Sequence, residues 1–177
     1  MENEIILETE RLKFRQHIPA DIDAYCAMEM DADMRRYVGG YPRKLEDAEN
    51  RFNGALKPVT GLLSMWATVF KPEEKYIGRC GIYPHFDQNG EAITGEASLG
   101  LYLAKAYWGR GLATEAGQAF VAFGFNALKL KKIVAMVQVG NAASVRVLEK
   151  LGFELVAPEK GEFRNFYHFG IESPAGK

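Results

Sequence analysis

Residues 96–114 read Glu-Ala-Ser-Leu-Gly-Leu-Tyr-Leu-Ala-Lys-Ala-Tyr-Trp-Gly-Arg-Gly-Leu-Ala-Thr, and this stretch decides the fold. Its first part, Glu96–Leu103, is rich in β-formers and predicts a strand. Its second part, Lys105–Thr114, sets Gly109 and Gly111 where the chain must turn sharply into a helix predicted from about Gly111 to Leu130. Without Cβ atoms these glycines let successive N–H groups converge on an anion, and the helix dipole adds to the attraction. From Ala97 to Thr114 there is no Asp or Glu, whereas Lys105 and Arg110 add two positive charges. A local anion site is the expectation; on these residues alone, a glycine-rich helix start without a ligand stays open. The loop has no G-K-[ST] ending, so it is not a Walker-type nucleotide loop. It also lacks the third glycine of the dinucleotide fingerprint and comes late in the chain.

Working outward, Met65–Phe70 and Tyr76–Tyr83 predict a hairpin around the turn Lys71–Lys75, followed by the polar stretch His85–Gly95. Further upstream, Thr9–Arg15 alternates, with Leu12 and Phe14 inward and Arg11, Lys13 and Arg15 outward, as in a half-buried strand. Asp21 is placed to cap a helix over about 21–31 that buries Ile22, Tyr25, Cys26 and Met30, and Met34–Val38 forms a short turn. Leu45, Ala48, Phe52 and Leu56 mark a second amphipathic helix closed at Lys57-Pro58. Downstream, Leu112, Ala116, Ala119, Phe123 and Ala127 mark the apolar face of the long helix. Ile133–Val139 reads as a strand covered on both sides. Asn141 caps a last helix over Asn141–Leu151, with Ser144 one turn inward and Gly152 as its stop. Strands at Phe153–Ala157 and Arg164–Ile171, joined by a Pro-Glu-Lys-Gly turn, complete the order β-α-α-β-β-β-α-β-α-β-β.

Composition bounds the function. With 177 residues the chain suits one domain, expected over 1–177 with a core at about 8–172 and a frayed tail at Ser173–Lys177. Such a chain buries roughly 70% of its extended surface and needs no disulfide or metal. Twenty-two Lys and Arg against 23 Asp and Glu leave a net charge of −1, which argues against nucleic acid or a membrane surface as partner. Cys26 and Cys80 are far apart and read as buried thiols of a reducing compartment. The acidic N-terminus has no apolar run of a signal peptide, so a cytoplasmic location is expected. His17, His85 and His168 show no ligand spacing, so no metal is assigned. Tyr41, Phe86 and Tyr167 are candidates for the wall of a ligand site, with core packing or surface exposure at least equally open.

Taken together, the strand, glycine turn, helix, strand and Asn-x-x-Ser helix ending in Gly-Phe resemble the GNAT superfamily of N-acetyltransferases. The nearest likeness is to the subgroup that acetylates N-termini of ribosomal proteins. The resemblance spans about 8–172 and rests on Glu8-Thr-Glu-Arg-Leu-Lys-Phe-Arg15, Gly109-Arg-Gly-Leu-Ala-Thr-Glu-Ala116 and Asn141…Ser144…Glu149-Lys-Leu-Gly-Phe153. It implies a mixed α/β fold: a central, mostly antiparallel sheet of six or seven strands, splayed between its fourth and fifth, with helices on both faces. It implies acetyl-CoA as co-substrate and an amine acceptor as partner, with a monomer or homodimer both open. The coenzyme would lie against Leu101, Tyr102, Leu103, Trp108, Gly109, Arg110, Gly111, Leu112, Ala113, Thr114, Asn141, Ser144 and Arg146. The loop amides would hold the pyrophosphate, and the Leu101 and Leu103 backbone would pair with the pantetheine arm. Two positions depart from the family pattern: Ala106 where Arg or Gln is usual, and Ser98 where the subgroup often has Glu. Glu96 lies two residues before Ser98, on the same strand face. The acceptor would be shaped by residues 21–60 and the loops 84–95 and 158–165, and the mixed charges of 31–49 mark no acidic polyamine pocket.

Acetyl transfer from a thioester to an amine needs a neutral amine, a stabilised oxyanion and a proton for the departing thiolate. A backbone N–H near Leu101–Leu103 is the oxyanion candidate, Ser144 the donor to the thiolate, and Glu96 the acceptor of the amine proton. A non-catalytic acyl-CoA sensor with the same fold is the alternative, and a nucleotide-dependent oxidoreductase stands behind both.

Overall fold

The computed structural model describes residues 4–57, 61–156 and 165–174. Its elements are β1 (Ile5–Glu8), β2 (Leu12–Arg15), α1 (Ile22–Met30), α2 (Ala32–Arg35), α3 (Leu45–Ala55), β3 (Ser64–Phe70), β4 (Lys75–Phe86) and β5 (Ala92–Leu103). After these come α4 (Leu112–Asn126), β6 (Lys132–Gln138), α5 (Ala142–Lys150), β7 (Glu154–Val156) and β8 (Phe166–Glu172). They form one eight-stranded sheet in the order β1-β2-β3-β4-β5-β6-β8-β7. The extra strand relative to expectation is β1, which pairs antiparallel with β2. The hairpin β4–β5 also runs further than its polar sequence suggests, as far as a Phe86–Ala92 pair. Of the predicted segments, Pro58, Ala157, the 158–161 turn, Arg164 and the end of the tail lie outside the described residues.

Among the described residues only β5 and β6 pair in parallel, and only over Glu96–Ser98 against Lys132–Val134. Beyond Ser98 the two strands separate. The expected splay is therefore present, between the fifth and sixth strands of the eight.

Helices cover both faces. On one, α4 packs with Leu112, Ala116 and Phe120 against Phe14, Ile82 and Ile133, which are all at most 1% exposed. On the other, Tyr25, Ala48 and Phe52 of α1 and α3 meet Ala67, Tyr76 and Tyr102. The buried stripe of α4 is Leu112, Ala116, Gly117, Phe120 and Gly124, rotated from the stripe through Ala119, Phe123 and Ala127 that periodicity marks. Two contacts set the phase. The Phe120 ring stacks edge-on against Phe14 at 4.7 Å. Gly117 sits where a Cβ would come 2.5 Å from Leu151, so α5 crosses close only on that side. The helix also stops short of Leu130. Lys129 adopts φ 55°, and the Leu130 amide returns to the Gly124 carbonyl at 3.0 Å, a left-handed stop made without glycine.

Arg15, Asp21 and Met30 depart from the expected roles. Arg15 is not outward but buried, bound bidentately to Asp21 at 2.8 Å in each arm. Asp21 therefore accepts from Arg15 and the Ile18 amide and makes no side-chain cap on α1. Glu29 is fully buried on α1, whereas Met30 is exposed. Asn141 does cap α5, accepting from the Ser144 amide at 3.2 Å. Both cysteines are buried free thiols.

Candidate active site

The gap between β5 and β6 is lined on one side by a free strand edge. The Ala104 amide bonds the Ile77 carbonyl of β4 at 2.8 Å, so by alternation the amides of Leu99, Leu101 and Leu103 point toward the gap. Met136 of β6 is half exposed within an otherwise buried run. The Leu103 carbonyl already has a donor, the Trp108 indole N–H at 2.6 Å. The Leu99 amide still closes the short parallel ladder with Val134, so a chain added along this edge finds the Leu99 carbonyl, the Leu101 backbone and the Leu103 amide open.

The edge leads directly into the glycine turn. Gly109 and Gly111 have φ of 71° and 77°, the left-handed region where a side chain is strained. The first bond of α4 runs from the Glu115 amide to the Gly111 carbonyl, 3.0 Å. The amides of Leu112, Ala113 and Thr114 are thus the donors that any helix start leaves unused, and they face the same point as the dipole. Side-chain charge is differently arranged from the sequence expectation. Lys105 is ion-paired with Asp33 of α2. The Arg110 guanidinium lies over the rings of Phe70 and Tyr107, at 4.7 and 5.2 Å. Asp33 thus offsets the Lys105 charge, while Arg110 keeps its own and adds it to the backbone dipoles of the turn.

Arg11 is the residue that sequence reading missed here. Its guanidinium donates to the Glu115 carboxylate at 2.7 Å and to the Arg110 carbonyl at 3.0 Å, tying the turn to β2. Thr9 and the Arg11 amide also donate to Glu115, at 2.6 and 2.8 Å. Burial alone would raise the Glu115 carboxyl, but these hydrogen bonds hold it below the usual carboxylate range. The only signal in the sequence was the Thr9-x-Arg11 spacing, which has no meaning until α4 lies beside it.

At the same end of the gap, Ser144 opens α5. Its amide is used by the Asn141 side-chain oxygen, while its hydroxyl has no protein partner among the described residues. Asn141 keeps only its amide N–H groups for a ligand. Tyr102 turns its ring toward α1, under the Arg79 guanidinium at 4.4 Å, and contributes backbone alone to the edge. Arg146 is set apart from Ser144, in a shallow apolar groove with Val145, Glu149, Leu155 and Tyr167. Tyr41 and Phe86 are exposed.

The segment after α1 spans the mouth of the gap. Asp33 holds Lys105 beyond β5, and Tyr37 lies 3.7 Å from where a Cβ at Gly140 would stand beyond β6. It is anchored from below by Glu29, which accepts from Arg43 at 2.7 Å, Arg79 at 2.5 Å and Arg35 at 3.3 Å. Burial would raise the Glu29 carboxyl, but Arg79 above all, with Arg43 and Arg35, keeps it low and ionised. On the same sheet face, Glu96 lies beyond the vertex of the splay, beside His85 and Ser98.

A split sheet whose free edge runs into a glycine turn at a helix start is suited to an extended ligand that ends in an anionic group. The chain belongs to the Acetyltransferase (GNAT) domain family, which matches residues 11–154. It is 30% identical over 152 residues to the uncharacterized N-acetyltransferase p20 of Bacillus licheniformis, covering 84% of this chain and 82% of that one. In fold it resembles the GNAT-family acetyltransferase of Bacillus anthracis, with a TM-score of 0.77 and 24% identity over 94% of this chain and 97% of that one. It also resembles the ribosomal L7/L12 α-N-protein acetyltransferase RimL in complex with coenzyme A, with a TM-score of 0.75 and 17% identity over 97% and 99% of the two chains. The protein is an acetyl-CoA-dependent acyltransferase. Among the described residues no helix is long and apolar enough to cross a membrane.

Proposed function

We propose that this protein transfers the acetyl group of acetyl-CoA to a primary amine by direct attack in a ternary complex. The observation that carries the reading is the convergence of the free Leu101–Leu103 edge with the unused amides of Leu112–Thr114. In this reading the turn amides bind the pyrophosphate, and the pantetheine arm adds to β5 as a strand. An amide of the Leu101–Leu103 edge then stabilises the oxyanion. Ser144 protonates the departing thiolate. Glu96, on the α1 side of the sheet, accepts the proton of the acceptor amine, a protein N-terminus or a small-molecule amine, directly or through water. The two buried, unbridged thiols suit a reducing compartment, and the cytoplasm is the assigned location.

The test is thiol release from acetyl-CoA across a panel of primary amines and peptide N-termini, beside calorimetric binding of coenzyme A. Turnover with at least one amine is the expected result. Coenzyme binding with no release on any amine would instead assign a sensor.

A further inference from the structure

Tyr83 and His85 on β4 share a sheet face with Glu96 and Ser98 on β5, through the Tyr83–Ser98 pair. His85 Nδ1 lies 3.2 Å from Ser98 Oγ, and Tyr83 shares a hydrogen bond with the same serine. His85 Nε2 lies 4.0 Å from Glu96 Oε2. Both side chains are partly open, at 22% and 24% exposure, so a ligand can reach them. The arrangement depends on a bulge. The register passes from Pro84–Ala97 to Phe86–Ala92, two steps on β4 against five on β5, and Gly95 takes φ 84° within it. The surplus chain bends β5 at Glu96 and brings its carboxylate beside the imidazole.

The 4.0 Å separation is too long for a hydrogen bond between the two groups. One nitrogen placed about 2.8 Å from each would subtend an angle of about 90°, close to what two N–H bonds of an amine offer. With Nδ1–H donated to Ser98, Nε2 keeps its lone pair for that nitrogen. A carboxylate beside it matches the charge of an alkylammonium, the form in which such an amine arrives at neutral pH.

We propose that His85 and Glu96 together form the receptor for the acceptor ammonium, and that His85, held from behind by Ser98 and Tyr83, removes its proton. This rests on the acetyl-transfer reading above and divides what that reading gave to Glu96 alone. Glu96 holds the positive charge, and His85 Nε2 takes one proton from the ammonium. The freed lone pair forms the C–N bond at the thioester carbonyl as the C–S bond breaks. Ser144 gives its hydroxyl proton to the departing sulfur and is reprotonated by the second nitrogen proton, and His85 returns its own to water.

Two amines of similar size separate this base from a merely structural histidine: ethylamine, charged at neutral pH, and 2,2,2-trifluoroethylamine, uncharged there. His85→Gln lowers kcat/KM for ethylamine by about 100-fold, the low end for a positioned base, and affects the fluorinated amine far less. Its affinity for coenzyme A stays at wild-type level, which also reports an intact fold. Equal losses on both amines, or none on either, overturn the proposal. A second measurement is independent of turnover. In protein carrying 15N-histidine and saturated with coenzyme A, ethylammonium shifts the His85 Nε2 resonance, identified by its absence from His85→Gln among three histidines. Glu96→Gln abolishes the shift. No shift in the wild type refutes the receptor, whereas a shift without thiol release on any amine refutes the transfer reaction and leaves the receptor standing.

Discussion

His17 carries the most quantitative prediction. It follows β2, 5% exposed, in a nest of rings with centroids 5.9 Å from Tyr25, 6.2 Å from Phe52 and 6.0 Å from Tyr76. Nε2 has no hydrogen-bond partner among the described residues. Burial drives the imidazole from 6.5 down to about 4; Asp21 opposes the shift, and Arg79 and Arg15 add to it. The unfolded chain therefore binds a proton near pH 6.5 that the folded chain refuses until about pH 4, and stability falls as pH drops through that window. From pH 7 to 4.5 the loss assigned to this one residue is about 2 kcal/mol. His17→Phe fits the aromatic nest and removes the titration. Urea unfolding followed by circular dichroism at stepped pH values should give a wild-type stability that declines more than the variant's by about that amount. Carboxylates titrate in both proteins and cancel in the comparison. Parallel curves, within about 0.5 kcal/mol across the window, would refute the argument that this imidazole is held neutral.

Other substitutions test the site and its support. Gly111→Val forces a β-branched residue into φ 77° and blocks the turn amides, so coenzyme A affinity measured by calorimetry should fall by about tenfold or more, as for a strain of 1–2 kcal/mol. Ser144→Ala should lower kcat by about 10-fold or more with little change in coenzyme A Kd, because its hydroxyl acts on the leaving sulfur; unchanged turnover removes it from the scheme. Glu29→Ala leaves three guanidiniums around a buried space, and chemical unfolding should register a loss of about 3–5 kcal/mol.

Where sequence reading succeeded and where it did not follows from the range of the interactions involved. The Gly109–Gly111 turn, the Asn141 cap and the β3–β4 turn were legible because a few adjacent residues determine them. Backbone angles that only glycine tolerates and a side chain reaching an amide three residues on are local chemistry. The strand alternation of Leu12 and Phe14 and the long apolar run of β6 were legible because burial imposes a short period. By contrast, Arg15 and Arg11 read as outward charges, and Glu29 carried no signal at all. Each is committed to a partner on another segment, and nothing in the flanking residues marks that partner.

Residues 96–114 by themselves determined a strand running into an amide-lined turn and a helix, and hence a place for an anion. Only the tertiary structure decided what stands around that turn. Lys105 is taken up by Asp33, Arg110 lies on two aromatic rings, and Arg11 arrives from the far end of the sheet to hold the loop. It also decided the phase of α4, through Phe120 against Phe14, and the bulge that brings Glu96 to His85. The physical reason is common to all of these. Backbone conformation and period are set by neighbours in the chain, but which charges meet depends on strand register and helix crossing, and these are settled only when distant segments share one core.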